Sequence, residues 1–392
     1  MVLEKRYWIA ILCKIAVIAI TFLTTILINR GLGVHYKGEY TYVIRMVEIL
    51  YIFFSVGLGQ VYATYKYEGK HEFKSYIMAL SIIQALIVIV LGILYISFFR
   101  IEYGLPILLL TSLAIIKVVV SMIAVIENSV KRNYIETIIN IINLLLLTLL
   151  YFFKMIDLKN VLICYGACEV VRVSLFAYCF NIKPNFNCID RYILKDIYKN
   201  GFITMIVMLL TTINYTIDTV MLRQLASPYF LGLYSVAVTF SNMFLIIPDA
   251  LKEVIFGDST KKDFKKRLVY SSLKVSMFVA VVILVLFVFI GDKAIVFLYG
   301  KEYFDTYLLT IICFVGSLSL IFFKILHPIY IAQGIQKRAA YFLSLSVIIN
   351  IILNMYLIPN YQAVGASIAS ALSHLICGGL FIADFILNLK YR

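Results

Sequence analysis

The chain has 392 residues, of which 63% are hydrophobic and 14% are charged, and its formal net charge is +14. Soluble domains are about half apolar and about a quarter charged, so this composition excludes an ordinary soluble protein. The positive charge would suit a nucleic-acid partner, but no nucleic-acid-binding motif accompanies it. We attribute the charge to membrane orientation and to attraction for anionic lipid headgroups.

The apolar residues are gathered into runs long enough to cross a bilayer as helices. A hydrocarbon core of about 30 Å requires about 20 apolar residues per helix, and backbone facing lipid must satisfy its own hydrogen bonds. No stretch between the runs is long enough for a separate extramembrane domain. Hydropathy predicts twelve spans, at residues 8–29, 40–63, 76–99, 105–126, 135–153, 161–180, 202–225, 230–251, 269–290, 305–326, 339–358 and 363–387.

The distribution of basic residues predicts which way these spans run. Alternate loops together with both ends carry 21 of the 35 Lys and Arg residues, the opposite loops together with Arg223 at the end of a span carry 8, and the other 6 fall within spans. Basic residues near span ends remain on the cytoplasmic side. The sequence therefore predicts that both termini are cytoplasmic.

Two pairs of similar segments indicate an internal repeat. The segment around Gly38, after the first span, resembles the segment around Gly232, after the seventh, and the pair Lys131-Arg132 before span five resembles Lys337-Arg338 before span eleven. Because both halves begin and end on the same side, the repeat is parallel. We expect an all-α fold in which an N-terminal six-helix bundle (1–181), a polar cytoplasmic linker (182–201) and a C-terminal six-helix bundle (202–392) enclose a central cleft.

The deepest basic residues in the predicted spans are Lys117 and Arg172. A charge at mid-bilayer costs about 2.5–3.5 kcal/mol on insertion scales, so such a residue faces the bundle interior or a water-filled cavity. Arg172 has Glu169 three residues earlier, and an ion pair within the bundle explains it as well as a substrate role does. Lys117 has no acidic neighbour at helical spacing, which makes it the stronger candidate for binding a phosphate or diphosphate.

The remaining basic residues in the spans are less deeply placed. Lys14 and Arg45 are further candidates for lining a cavity, and Glu48 lies one turn from Arg45 as a partner. Lys274 and Lys324 lie nearer the cytoplasmic ends, where extension of the side chain to the interface explains them.

Acidic and polar residues in the spans are candidates for ion coupling or sugar contact. Asp218, with Asn214 one turn before it, can bind a proton or Na⁺, hydrogen-bond sugar hydroxyls, or pair with a cation. Glu48 and Glu169 are further candidates for ion coupling or for structural ion pairs. His374 lies among small residues of span twelve, where close helix packing explains it.

Nothing in the sequence predicts catalysis, a cofactor or a metal site. The two lysines that follow a glycine, Lys70 and Lys301, lack the Ser or Thr of a nucleotide-binding loop. The seven cysteines show no paired C-x-x-C spacing. We therefore expect a transporter, not an enzyme.

Three stretches carry a resemblance to a known family. They are residues 214–222 followed by 232–237, the loop 298–303, and the region from Gln333-Gly334 through Asn350 and Asn354 to 365–370. They resemble the polysaccharide-flippase branch, of the O-antigen or capsule repeat-unit type, of the multidrug/oligosaccharidyl-lipid/polysaccharide exporter superfamily.

The resemblance implies a function. Members flip undecaprenyl-diphosphate-linked oligosaccharides from the cytoplasmic to the outer leaflet by alternating access, in lipopolysaccharide and other polysaccharide biosynthesis. A polysaccharide polymerase and a chain-length regulator are implied as partners. Two alternatives stay open: an ion-coupled exporter of small molecules with the same fold, and a membrane polymerase or glycosyltransferase, which the short outer loops disfavour.

Overall fold

A computed structural model describes residues 5–67, 72–99, 101–186, 191–259, 266–332 and 335–387, and this part of the chain is helical and contains no strand. The helices are α1 (Lys5–Ser55), α2 (Leu58–Tyr67), α3 (Phe73–Phe98), α4 (Gly104–Phe152), α5 (Leu158–Cys179), α6 (Arg191–Leu225), α7 (Pro228–Met243), α8 (Ile246–Ser259), α9 (Lys266–Tyr299), α10 (Thr306–Ala332) and α11 (Gln336–Leu387), with a 3₁₀ turn at Lys301–Tyr303.

Eight of the described helices are long and apolar enough to cross a membrane. Three of these are about twice as long as one crossing requires: α1 has 51 residues, α4 has 49 and α11 has 52. Each contains one residue with non-helical backbone angles, namely Gly33 in α1, Asn128 in α4 and Gln362 in α11. Each break lies between two predicted spans. At these places we expected a loop, but only one residue departs from helical backbone angles.

Two predicted single spans are interrupted. The prediction 40–63 covers the end of α1 and the first part of α2, which are separated by Val56 and Gly57, and 230–251 covers most of α7 and part of α8. At the first interruption Gly57 has a φ of 65°, and a Cβ there would collide with the backbone oxygen of Gly201. An uninterrupted helix at 40–63 is therefore wrong, because the close approach of α6 requires a glycine in the left-handed region.

The described part of the predicted polar linker, 182–201, includes the start of a helix that packs against its neighbours. Helix α6 begins inside this range, and residues 187–190 lie outside the described part of the chain. Tyr65 Oη donates to Asp196 Oδ2 at 2.9 Å, and Gln84 Nε2 donates to Tyr198 Oη at 3.2 Å. The start of α6 is thus held against α2 and α3 by side-chain hydrogen bonds.

Several lysines counted for membrane orientation bind helix ends. Lys74 Nζ donates to Phe180 O at 3.2 Å and Lys131 Nζ donates to Cys179 O at 2.6 Å, both at the carboxyl end of α5. The last carbonyls of a helix have no partner within it and carry partial negative charge. These cations therefore stabilise a helix end.

The described chain divides into two compact units. Unit 1 comprises residues 1–32 and 43–209, and unit 2 comprises 33–42 and 210–392. The division lies inside α6, after Leu209, and a ten-residue part of α1 belongs to unit 2.

A reciprocal glycine contact lies within unit 2. A Cβ on Gly38 would collide with Pro228 O, and a Cβ on Gly232 would collide with Val34 O. The two glycines are the pair matched by the sequence repeat, and each approaches the backbone four residues before the other. Glycine at both positions lets two helices touch backbone to backbone.

Candidate functional site

In unit 1, a chain of charged side chains connects α4 with α5. Lys117 Nζ lies 3.4 Å from Glu169 Oε2, and Glu169 Oε1 accepts a hydrogen bond from Arg172. Arg172 Nε lies 3.0 Å from Glu136 Oε2, and Glu136 Oε1 lies 2.8 Å from Arg132. We call these five residues, from Lys117 to Arg132, the charged chain.

The charged chain holds more positive than negative charge. It has three cations and two carboxylates, so one positive charge is left over within the network. Arg172 lies between the two carboxylates and its side chain is 12% exposed, whereas Lys117 lies at one end and is 28% exposed. A guanidinium held by two acids is fixed in position. Lys117 at one end and Arg132 at the other each pair with one carboxylate and are more exposed, so these terminal cations are better placed to change partner.

The packing revises one premise of the sequence analysis. Lys117 has no acidic neighbour on its own helix, but Glu169 of α5 supplies one, so Lys117 is not an unpaired cation. The predicted contact between Glu169 and Arg172 is present. Sequence reasoning missed Glu136 and Arg132, which a spacing of four residues on one helix makes visible as a pair.

Arg45, another predicted basic candidate, pairs with a carboxylate of its own helix. Arg45 forms an ion pair with Glu48 at 2.6 Å, and both side chains are about one-third exposed. An exposed pair at helical spacing contributes little stability. Lys14 lies in α1 but its side chain is outside the described set.

In unit 2, Asp218 of α6 is buried and accepts several hydrogen bonds. Its Oδ2 accepts from Tyr234 of α7 and, at 2.6 Å, from Ser370 Oγ of α11. Its Oδ1 accepts from the backbone N–H of Thr219 at 2.7 Å. The carboxylate thus joins three helices through short polar contacts. Tyr234 and Ser370 were not predicted, because their partnership with Asp218 arises only when distant helices pack.

Asn214, one turn before Asp218, belongs to a second buried polar row. Asn214 Oδ1 accepts from Ser346 Oγ at 3.2 Å, and Ser346 also donates to Ser373 O. Asn350 Nδ2 donates to Ser373 Oγ at 3.1 Å, and Asn354 Nδ2 donates to Asn350 Oδ1 at 2.8 Å. Buried amides and hydroxyls cost free energy unless they are paired, so this row fixes how α6 and α11 pack.

His374 was predicted to be a packing residue among small side chains. Its ring lies 6.2 Å from that of Tyr215, measured between centroids, and its Nε2 atom is buried without a hydrogen-bond partner. Close packing alone leaves this nitrogen unexplained, since a buried imidazole nitrogen normally has a partner. Among the described residues no group of three His, Cys, Asp or Glu side chains is arranged to hold a metal ion.

Comparison with known proteins gives consistent relatives. The family described as "Polysaccharide biosynthesis protein" matches residues 3–249. A capsular polysaccharide biosynthesis protein, CapF, of Staphylococcus aureus is 26% identical over 368 residues, covering 86% of this chain and 88% of the relative.

Solved structures share the fold at low sequence identity. The lipid II flippase MurJ in an inward closed conformation has a TM-score of 0.76 and 17% identity, covering 97% of this chain and 88% of that one. An inward-facing multidrug resistance transporter of the MATE family has a TM-score of 0.72 and 12% identity, covering 94% of each chain.

Proposed function

Since the chain belongs to the polysaccharide biosynthesis protein family, we propose that it is a flippase for undecaprenyl-diphosphate-linked oligosaccharide repeat units. The resemblance found in the sequence is confirmed by this family and by the transporter fold. The proposed substrate is an O-antigen or capsule repeat, moved from the cytoplasmic to the outer leaflet by alternating access.

The observation that carries the proposal is the excess positive charge of the charged chain. A diphosphate inside a bilayer needs a cation, because an apolar path would exclude it. Lys117 is one of the two terminal cations, and it shares Glu169 with Arg172. We propose that Lys117 contacts the diphosphate, and that Arg172 fixes Glu169 and Glu136 in position.

The proposed architecture has twelve crossings in two parallel repeats. Counting each of the three interrupted helices as two crossings turns the eight apolar helices into eleven, and α7 with α8 supplies one more. The reciprocal contact of Gly38 and Gly232 supports a repeat, because two positions matched by the sequence repeat contact each other. Cytoplasmic termini, an inner-membrane location, and a polymerase and chain-length regulator as partners complete the proposal.

Two observations separate this proposal from the exporter alternative. An exporter of small cationic molecules shares the fold, but its cavity is expected to favour acidic residues. The charged chain of unit 1 instead holds three cations and two carboxylates. The curated relative is also named for capsular polysaccharide biosynthesis and not for export of drugs.

We propose that Asp218 is the coupling site, with Glu48 and Glu169 acting only as ion-pair partners. Glu169 contacts two cations and Glu48 contacts Arg45. Asp218 accepts hydrogen bonds from hydroxyl and amide donors of three helices. Such a carboxylate can take up a proton or Na⁺ and pass the change in charge to the packing of those helices.

The experiment compares Lys117→Gln with Arg172→Ala in a strain whose surface polysaccharide depends on this chain. Lys117→Gln should abolish surface polysaccharide while leaving protein in the membrane, because it removes one terminal charge. Arg172→Ala should lower the amount of folded protein, since removing one partner of a buried ion pair costs about 3–5 kcal/mol.

Surface polysaccharide is measured by antibody binding and membrane protein by immunoblot, with Lys274→Gln as the control. Lys274 is an exposed lysine of a predicted span. Full complementation by Lys117→Gln at normal protein level would remove the proposed role of Lys117.

A further inference from the structure

A second cluster of charges lies in unit 2, outside every site described above. Asp249 and Lys252 belong to α8, and Lys324 belongs to α10. Lys324 Nζ lies 3.0 and 3.2 Å from the two carboxylate oxygens of Asp249, and Lys252 Nζ lies 2.7 Å from Oδ1. Lys324 was expected to extend to the membrane interface, but its ammonium group contacts a carboxylate on another helix.

Two lysines and one aspartate give the cluster an excess of one positive charge. Two ammonium groups share one carboxylate, and both contact the same oxygen, Oδ1. Lys324 is 17% exposed, whereas Asp249 and Lys252 are 34% and 40% exposed. A partly exposed pair of lysines that share one acid can exchange that acid for a stronger anion without leaving a buried charge behind.

Polar atoms without partners lie beside this cluster. Lys324 Nζ is 5.4 Å from the ring centroid of Tyr215, and the Tyr215 ring is 6.2 Å from that of His374. Tyr215 Oη and His374 Nε2 are both buried and have no hydrogen-bond partner. Each such atom costs free energy unless something bonds to it. An excess cation next to unfilled hydrogen-bonding atoms is the arrangement expected around an oxygen-rich anion.

We propose that Lys252 and Lys324 form an anion site in unit 2, with Asp249 as the internal counter-ion that the ligand displaces. The inference rests on the proposed function, because the ligand is an anionic oxygen group of the lipid-linked saccharide. That group is either the diphosphate of the carrier or the carboxylate of an acidic sugar. Tyr215 and His374 supply hydrogen bonds to the rest of the bound molecule.

Binding to the purified full-length chain in detergent tests the site. The probes are farnesyl diphosphate, glucuronic acid and, as the uncharged control, farnesol, each titrated by calorimetry. Lys324→Gln should weaken binding of one charged probe by about tenfold or more, since it removes a charge-assisted hydrogen bond. Asp249→Asn should tighten binding of the same probe severalfold, because the competing carboxylate is gone. Lys274→Gln should bind as the unaltered chain does.

The possible results distinguish a site for the carrier diphosphate, a site for an acidic sugar and the absence of an anion site. An effect confined to farnesyl diphosphate assigns the site to the carrier, and an effect confined to glucuronic acid assigns it to the sugar. If the unaltered chain binds a charged probe and Lys324→Gln binds it equally well, the site is wrong while the proposed function stands. If Asp249→Asn weakens binding, the three residues are a structural ion pair. Failure of the unaltered chain to bind either charged probe contradicts the proposed function and this site with it.

Discussion

At the level of single residues, the two deepest basic side chains have different environments. Arg172 contacts two carboxylates, Glu169 and Glu136, and is 12% exposed. Lys117 has one contact, at 3.4 Å, and is 28% exposed. Composition and spacing assign both to the membrane interior, but only packing across helices separates a fixed cation from one that can change partner. Their substitution should therefore affect different properties, protein stability for Arg172 and transport for Lys117.

Asp218 gives a prediction that isolates its charge from its hydrogen bonds. Asp218→Asn should remove any dependence of transport on a proton or Na⁺ gradient, because the amide cannot gain or lose charge. Tyr234→Phe is the matched control, since it removes one donor to Asp218 and keeps the carboxylate. Transport is measured in vesicles with and without an imposed gradient. If the Asn variant responds to the gradient as the unaltered chain does, Asp218 is a structural residue.

At the level of helices, the sequence indicates where apolar segments lie but not how each is interrupted. Long apolar runs locate the spans because lipid requires backbone hydrogen bonds to stay within a helix. The interruption at Gly57 could not be predicted, since it depends on a backbone contact with Gly201 of α6. The contacts of the candidate site were likewise only partly predictable from the sequence. The Glu169 and Arg172 pair is visible from spacing, whereas the contacts of Lys117 with Glu169 and of Asp218 with Ser370 require packed helices.

Two adjacent glycines of α11 test whether the backbone contacts between helices are as close as the structure indicates. A Cβ on Gly378 would collide with the backbone oxygen of Ser319 in α10, whereas a Cβ on Gly379 would have no atom within 4 Å. Gly378→Ala should destabilise the protein by about 1–3 kcal/mol, as overpacking does. Gly379→Ala should stabilise it by up to about 1 kcal/mol, because alanine favours the helix.

Thermal unfolding of the two purified variants in the same detergent measures the difference. The change from Gly to Ala is identical in both, so the comparison cancels the effect of helix propensity. Equal unfolding temperatures for the two variants would contradict the close contact between α10 and α11.

At the level of the whole molecule, the chain belongs to a family of polysaccharide biosynthesis proteins and shares its fold with solved transporters. The family covers residues 3–249, and the relative from Staphylococcus aureus covers 86% of the chain. The chain divides within α6 into two compact units of similar size. The family and the fold do not specify which molecule moves. The excess positive charge in each unit, at the charged chain and around Asp249, favours an anionic substrate.

The most direct measurement is translocation of a lipid-linked saccharide by the purified chain in proteoliposomes. Undecaprenyl-diphosphate-linked oligosaccharide is incorporated in both leaflets, and an added glycosidase that cannot cross the bilayer reports the fraction accessible from outside. The account predicts that the unaltered chain makes nearly all of the saccharide accessible, whereas Lys117→Gln leaves about half protected, as empty liposomes do. Protection of half of the saccharide with the unaltered chain, under every imposed gradient, would contradict it.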